Sequence, residues 1–167
     1  MEGSDYLLTC AEVAVALAGF SALVVAVRQR GDDELAPLDR SLVSSLIERS
    51  LVAVFFSFLP ILLHGLGISP ARVWFVTSGG LSAYVVTLAW RGAVLRKREP
   101  QFSELISGPI FYIIWALGLF VLALQSAHAL GLGVQQSVWW YLVGLTWLLV
   151  SVGYLFYLAI RGWARAA

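Results

Sequence analysis

Charged residues along this chain fall in a few short clusters, and the five stretches between them are almost continuously apolar. They run from about Tyr6 to Val27, Leu42 to Ile68, Val73 to Leu95, Ile106 to Leu130 and Val138 to Ile160. A helix rises about 1.5 Å per residue, so about 20 apolar residues cross a hydrocarbon core about 30 Å thick, and each stretch is long enough. Lipid offers the backbone no hydrogen-bond partners, so unbroken apolar segments of this length span as helices. The pattern predicts an all-α fold: a polytopic transmembrane bundle of five helices forming a single transmembrane domain over residues 1–167.

Composition agrees. Hydrophobic residues make up 60% of the 167 positions and charged residues 13%, with a mean hydropathy of +0.84, well outside the range of an ordinary soluble domain. The formal net charge of +1 conceals an uneven distribution. Arg28, Arg30 and Arg40 lie between spans one and two, Arg91, Arg96, Lys97 and Arg98 close span three, and Arg161 and Arg165 follow span five. At the opposite ends Arg72 is the basic residue, and Gly131 to Ser137 carries no charge. Basic residues favour the cytoplasmic side, so the N-terminus is expected outside and the C-terminus in the cytoplasm. Aromatic residues suggest belts at both interfaces: Tyr6, Trp74, Trp139, Trp140 and Tyr141 outside, and Trp90, Phe102 and Trp163 inside. The expected setting is a bacterial inner (plasma) membrane, with the lipid bilayer as first partner.

Pro109 sits near a helix start, Pro70 and Pro100 fall between spans, and Pro60 lies inside span two, where a kink is expected. The longest connection, Arg28 to Ser41, holds Asp32, Asp33, Glu34 and Pro37 and is too short for a soluble domain. Acidic Glu2 and Asp5 occupy the place of a signal peptide's basic region, so the first span is expected to be retained. Cys10, the one cysteine, excludes an intrachain disulfide and two-cysteine redox or zinc motifs. No internal repeat of the kind that builds many transporters is evident. Nothing in the charge pattern points to nucleic acid.

Ionisable groups inside a span are costly and face a bundle interior, an aqueous cavity or a partner. Glu12 lies about 9 Å below the outer boundary by helical rise, and His64 and His128 lie near the outer ends of spans two and four. Glu12, His64 and His128, with Gln125 one turn before His128, therefore form a candidate ion or proton site in one layer. Imidazoles and a carboxylate also suit a metal; the alternative is a hydrogen-bonded Glu12 with histidines near headgroups. In span two, Ser50, Ser57 and His64 recur at intervals of seven and mark one face, which lines a pore or packs against a neighbouring helix. At the cytoplasmic side Glu48, Arg49 and Arg91 form an inner charge cluster, with Arg49 or Arg91 pairing to Glu48, and Glu104 precedes span four. Ala14, Ala18 and Ala22, with Gly19, give span one a small-residue face suited to close packing within the chain or between copies.

The segment Gly19-Phe20-Ser21-Ala22 resembles the Gly-x-Ser-Gly motif of rhomboid intramembrane proteases over four residues, of which the last departs from the pattern. Ser21 lies roughly 13 Å deeper than Glu12 by helical rise, too far from histidines at the level of Glu12 to exchange a proton with them. No catalytic residues are assigned. Two histidines on separate spans also suit the axial positions of a haem, although no haem motif marks them and no cofactor is expected. The sequence reading favours a homo-oligomeric channel or transport protein for a small ion or proton. A non-catalytic accessory or scaffold protein packing against partner helices is the alternative, followed by a bis-histidine haem or metal-binding redox protein.

Overall fold

A computed structural model of the chain describes residues 3–28, 37–98, 109–133 and 136–166. They form five helices with no strand among them: α1 (Ser4–Arg28), α2 (Pro37–Gly65), α3 (Pro70–Arg98), α4 (Pro109–Leu130) and α5 (Val138–Ala166). Every one is long and apolar enough to cross a membrane. Helices α2 and α5 form the middle of the bundle: α2 packs on α1, α3 and α5, and α5 packs on α1, α2 and α4, while α3 also lies against α4. The expected loop residues Arg30 to Glu34, the residues Pro100, Phe102 and Glu104, and the expected start of the fourth span at 106–108 lie outside the described residues.

Local chemistry sets the helix ends. Pro37, Pro70 and Pro109 each occupy the first helical position, where a missing N–H costs nothing and the fixed φ suits the helix. Gly131, at φ 65°, closes α4: its N–H reaches the His128 carbonyl and the Leu132 N–H reaches that of Ala127, the left-handed ending that glycine permits without strain. Ser137 caps α5, its hydroxyl accepting from the Trp139 N–H at 3.3 Å. Helix α2 starts five residues earlier than the apolar pattern suggests, and α5 ends six residues later, because polar and basic residues continue a helix beyond the hydrocarbon as readily as apolar ones.

The distribution of side chains suits a lipid solvent. Large apolar residues face outward, including Phe20, Leu23, Leu51, Phe55, Leu62 and Phe120, while a set of hydroxyls on α1, α2, α3 and α5 faces inward. Ser50 and Ser57 are buried and bond to the carbonyls of Leu46 and Ala53 in their own helix, at 3.0 and 2.8 Å. Thr77 does the same to Val73 at 2.8 Å and Ser21 to Leu17 at 2.6 Å. Satisfied in this way, small hydroxyls let helices approach closely without leaving a polar atom unpaired.

Two aromatic residues expected at the interface lie instead in the core. Trp74 and Tyr141 are buried, with ring centroids 5.8 Å apart, among Leu7, Phe56, Leu81 and Leu145. Both fall on the inward face of their helices, and an aromatic near a span end reads alike in sequence whichever way it points. Tyr6 and Trp139 do lie at the surface, in contact at 5.1 Å, and Trp140 and Trp90 are exposed. The Ser50, Ser57 and His64 series also divides. His64 is exposed together with Gly65, Leu66 and Gly67, since the end of α2 rises clear of its neighbours.

Candidate functional site

The polar groups of the bundle gather at two levels. The first is near the starts of α1, α3 and α5 and the ends of α2 and α4. Here His128, on the last turn of α4, is fully buried. Its Nε2 accepts from the backbone N–H of Ser137, at 3.1 Å. That acceptor role places the ring proton on Nδ1, which lies 2.8 Å from the Ser78 hydroxyl of α3 and donates to it. With Trp74 packed at 5.4 Å, one imidazole fastens α3, α4 and the cap of α5 together.

Gln125, one turn earlier and also fully buried, donates from Nε2 to the Trp140 carbonyl at 2.7 Å, while its Oε1 has no partner. Gly144 makes this approach possible: a Cβ there would stand 2.7 Å from both Gln125 Nε2 and Leu81 Cδ2. Glu12 and His64 are elsewhere. Both are exposed on the outside of the bundle, and among the described residues neither side chain has a hydrogen bond or ion pair. The sequence layer of Glu12, His64 and His128 thus comprises one interior group and two surface groups. No cluster of three or more His, Cys, Asp or Glu able to hold a metal occurs among the described residues. Both His128 ring nitrogens are already engaged, which leaves neither free as a metal or haem ligand.

The second level lies near the start of α2 and the end of α3. Arg91 pairs with Glu48 at 2.5 Å, with both side chains substantially exposed. Arg49 turns inward instead, reaching Ser151 of α5 from Nη1 at 3.4 Å, and its Nε is buried without a partner. The Tyr84 hydroxyl is likewise buried and unpartnered. A cleft of about 70 Å³ lies here, where Ser41, Ser45, Glu48, Arg49 and Arg91 meet the apolar side chains of Leu42, Leu88, Leu95 and Leu155. Of these residues Arg49 carries most chemical interest, because a guanidinium removed from water is costly unless matched by an anion.

The interior groups that sequence reasoning missed include Thr77, Ser78, Ser82, Tyr84, Tyr141 and Ser151, all of residue types that occur throughout membrane helices and so carry no signal until facing partners are known. Compared with protein-family models, with curated proteins and with solved structures, the chain matches none.

Proposed function

We propose that the chain is a non-catalytic integral membrane protein of the bacterial inner membrane, with five spans, the N-terminus outside and the C-terminus in the cytoplasm, that works by packing against further transmembrane helices, first those of a second copy. The observation that carries this reading is Glu12. It lies about 12 Å along α1 from its start at Ser4 by helical rise, inside an apolar span, and it is exposed without an ion pair or hydrogen bond among the described residues. A carboxyl group in that position is costly against lipid and acceptable against another helix. Small Ala16 and Gly19 are exposed on the same side of α1, one and two turns on, and leave room for a close neighbour. The buried polar groups support the same reading, since Tyr141, His128 and Gln125 are used in binding one helix to the next.

Counting subunits by single-molecule photobleaching in lipid bilayers tests the proposal. Wild-type protein is expected in assemblies of two or more copies. Glu12→Ala should shift the population toward monomer, and Glu12→Gln, which keeps a hydrogen-bonding head, should shift it less. Monomers at every protein-to-lipid ratio would overturn self-association.

One observation favours a second reading, an ion or proton pathway between copies. Glu12 and His64 are both ionisable and both outward-facing, so assembly through these surfaces would enclose them, whereas the hydrogen bonds of His128 and the amide donor of Gln125 are used within each copy.

A further inference from the structure

A second, more apolar cavity of about 100 Å³ adjoins the cleft at the second level. It lies between α3, α4 and α5, and Arg49 reaches it from α2. Phe111, Trp115 and Trp147 line it, with Gly92 and Gly118 giving it room, and it meets the bundle surface beside the exposed Leu119. The cleft and the cavity share Arg49, Leu88, Gly92 and Leu155 as wall. Arg49 therefore stands in the wall that the two compartments share, of which the cleft has the larger share of polar residues.

Two guanidinium groups share one carboxylate here. Glu48 forms its ion pair with Arg91 and acts on the neighbouring Arg49 only at longer range, and the Arg49 guanidinium itself donates to the neutral Ser151 hydroxyl. A guanidinium has five N–H donors in a planar fork; Nε is enclosed in the wall without a partner, while other atoms of Arg49 line the cavity. A cation in a largely apolar wall calls for an anion. Carboxylate is the anion whose two oxygens match that fork, and the aromatic and aliphatic lining calls for a hydrocarbon attached to it. The volume accommodates the head and first methylenes, with the remaining chain leaving through the opening beside Leu119 into surrounding lipid.

We propose that this cavity binds a single-chain carboxylate amphiphile, a long-chain fatty acid, with its carboxylate on Arg49 and its chain between α3 and α4. Ser151, which also lines the cavity, accepts a hydrogen bond from the guanidinium and acts as a positioning residue.

Equilibrium binding of oleate to the purified, detergent-solubilised full chain tests this, with methyl oleate, acetate and phosphatidylglycerol as comparison ligands on the same native protein. Oleate is expected to bind one to one. Methyl oleate, which keeps the chain and loses the charge, should bind roughly ten- to hundredfold more weakly, the cost of losing a hydrogen bond to a charged group. Acetate should not compete, because it has no chain. Arg49→Gln should reduce oleate affinity by a similar factor and leave methyl oleate binding unchanged, and Ala89→Phe, which fills the cavity wall, should reduce both. Equal binding of oleate and its methyl ester would overturn the assignment of the carboxylate to Arg49, whatever the variants do. Tighter binding of phosphatidylglycerol than of oleate would overturn the choice of a fatty acid, and displacement of oleate by acetate would overturn the role of the chain.

Discussion

The Tyr141 hydroxyl of α5 donates a 2.7 Å hydrogen bond to the Phe56 carbonyl of α2, the carbonyl that Pro60 deprives of its helical donor. Residue i+4 normally supplies that N–H, and proline has none. Both groups are buried, so without the phenol an acceptor would be unpaired where no water reaches it. The proline and the tyrosine therefore act as one device, and α2 continues as helix from Pro37 to Gly65 through the proline.

The interaction between them is measurable. Tyr141→Phe should destabilise the folded bundle by about 1–2 kcal/mol. In a Pro60→Ala background the backbone N–H restored at that position satisfies the Phe56 carbonyl instead, so the same tyrosine substitution should cost clearly less. Unfolding in detergent mixtures of the four proteins of this cycle checks the claim; equal costs in both backgrounds would show that the hydroxyl does not compensate for the proline.

This pair also marks the limit of what the sequence discloses. Five helices follow from five long apolar runs, since lipid leaves such segments no alternative. Which face of each helix turns inward does not follow, because the spans are apolar all round and periodicity is weak. For that reason Trp74 and Tyr141 read as interfacial anchors and are in fact core. Ser50 and Ser57 were legible as one face because small hydroxyls mark close helix contact, yet His64, seven residues on, is exposed beyond the packed part of α2. Glu48 was legible as half of an ion pair. The choice between Arg49 and Arg91 was not, because it depends on the approach of α3 and α5 from elsewhere in the chain.

Glycine spacing in α5 gives a second test. Gly144→Ala places a methyl 2.7 Å from Gln125 Nε2 and Leu81 Cδ2, so the Gln125 to Trp140 hydrogen bond must be displaced. Overpacking of this kind costs about 1–3 kcal/mol. Gly153→Ala meets nothing within 4 Å and should be neutral or stabilising through its better helix propensity. Thermal unfolding of both variants distinguishes them, and equal tolerance would show that the α4–α5 contact relaxes without cost.

Topology can be read directly. In a Cys10→Ala background, single cysteines placed between Arg28 and Ser41, or between Arg96 and Gln101, should be shielded from a membrane-impermeant thiol reagent added outside intact cells. Cysteines placed between Gly133 and Ser137 should react. This follows from the basic residues at the ends of spans one, three and five. Labelling of the Arg28 to Ser41 segment from outside would reverse the orientation and place the Arg49 cavity on the outer side of the membrane.

The ion-pathway reading makes the most demanding prediction. Within one copy the hydrogen bonds of His128 and the amide donor of Gln125 are used in fastening helices together, so a conducting path requires the outward-facing Glu12 and His64 of assembled copies. Protein reconstituted in vesicles should then dissipate an ion or proton gradient, at a rate that Glu12 and His64 substitutions change. Glu12→Gln should change rate or selectivity while subunit number is preserved, because the amide keeps shape and hydrogen bonding and removes the charge. The packing reading expects the reverse: no flux from the native protein, and a change in subunit number on Glu12→Ala from the loss of an interhelical contact worth about 1 kcal/mol. Gradient dissipation that is unchanged by Glu12→Gln and His64→Ala would exclude both residues from the path. No flux for monovalent cations, divalent cations or protons, in vesicles shown to contain assembled protein, would remove the pathway and leave assembly as the function of Glu12.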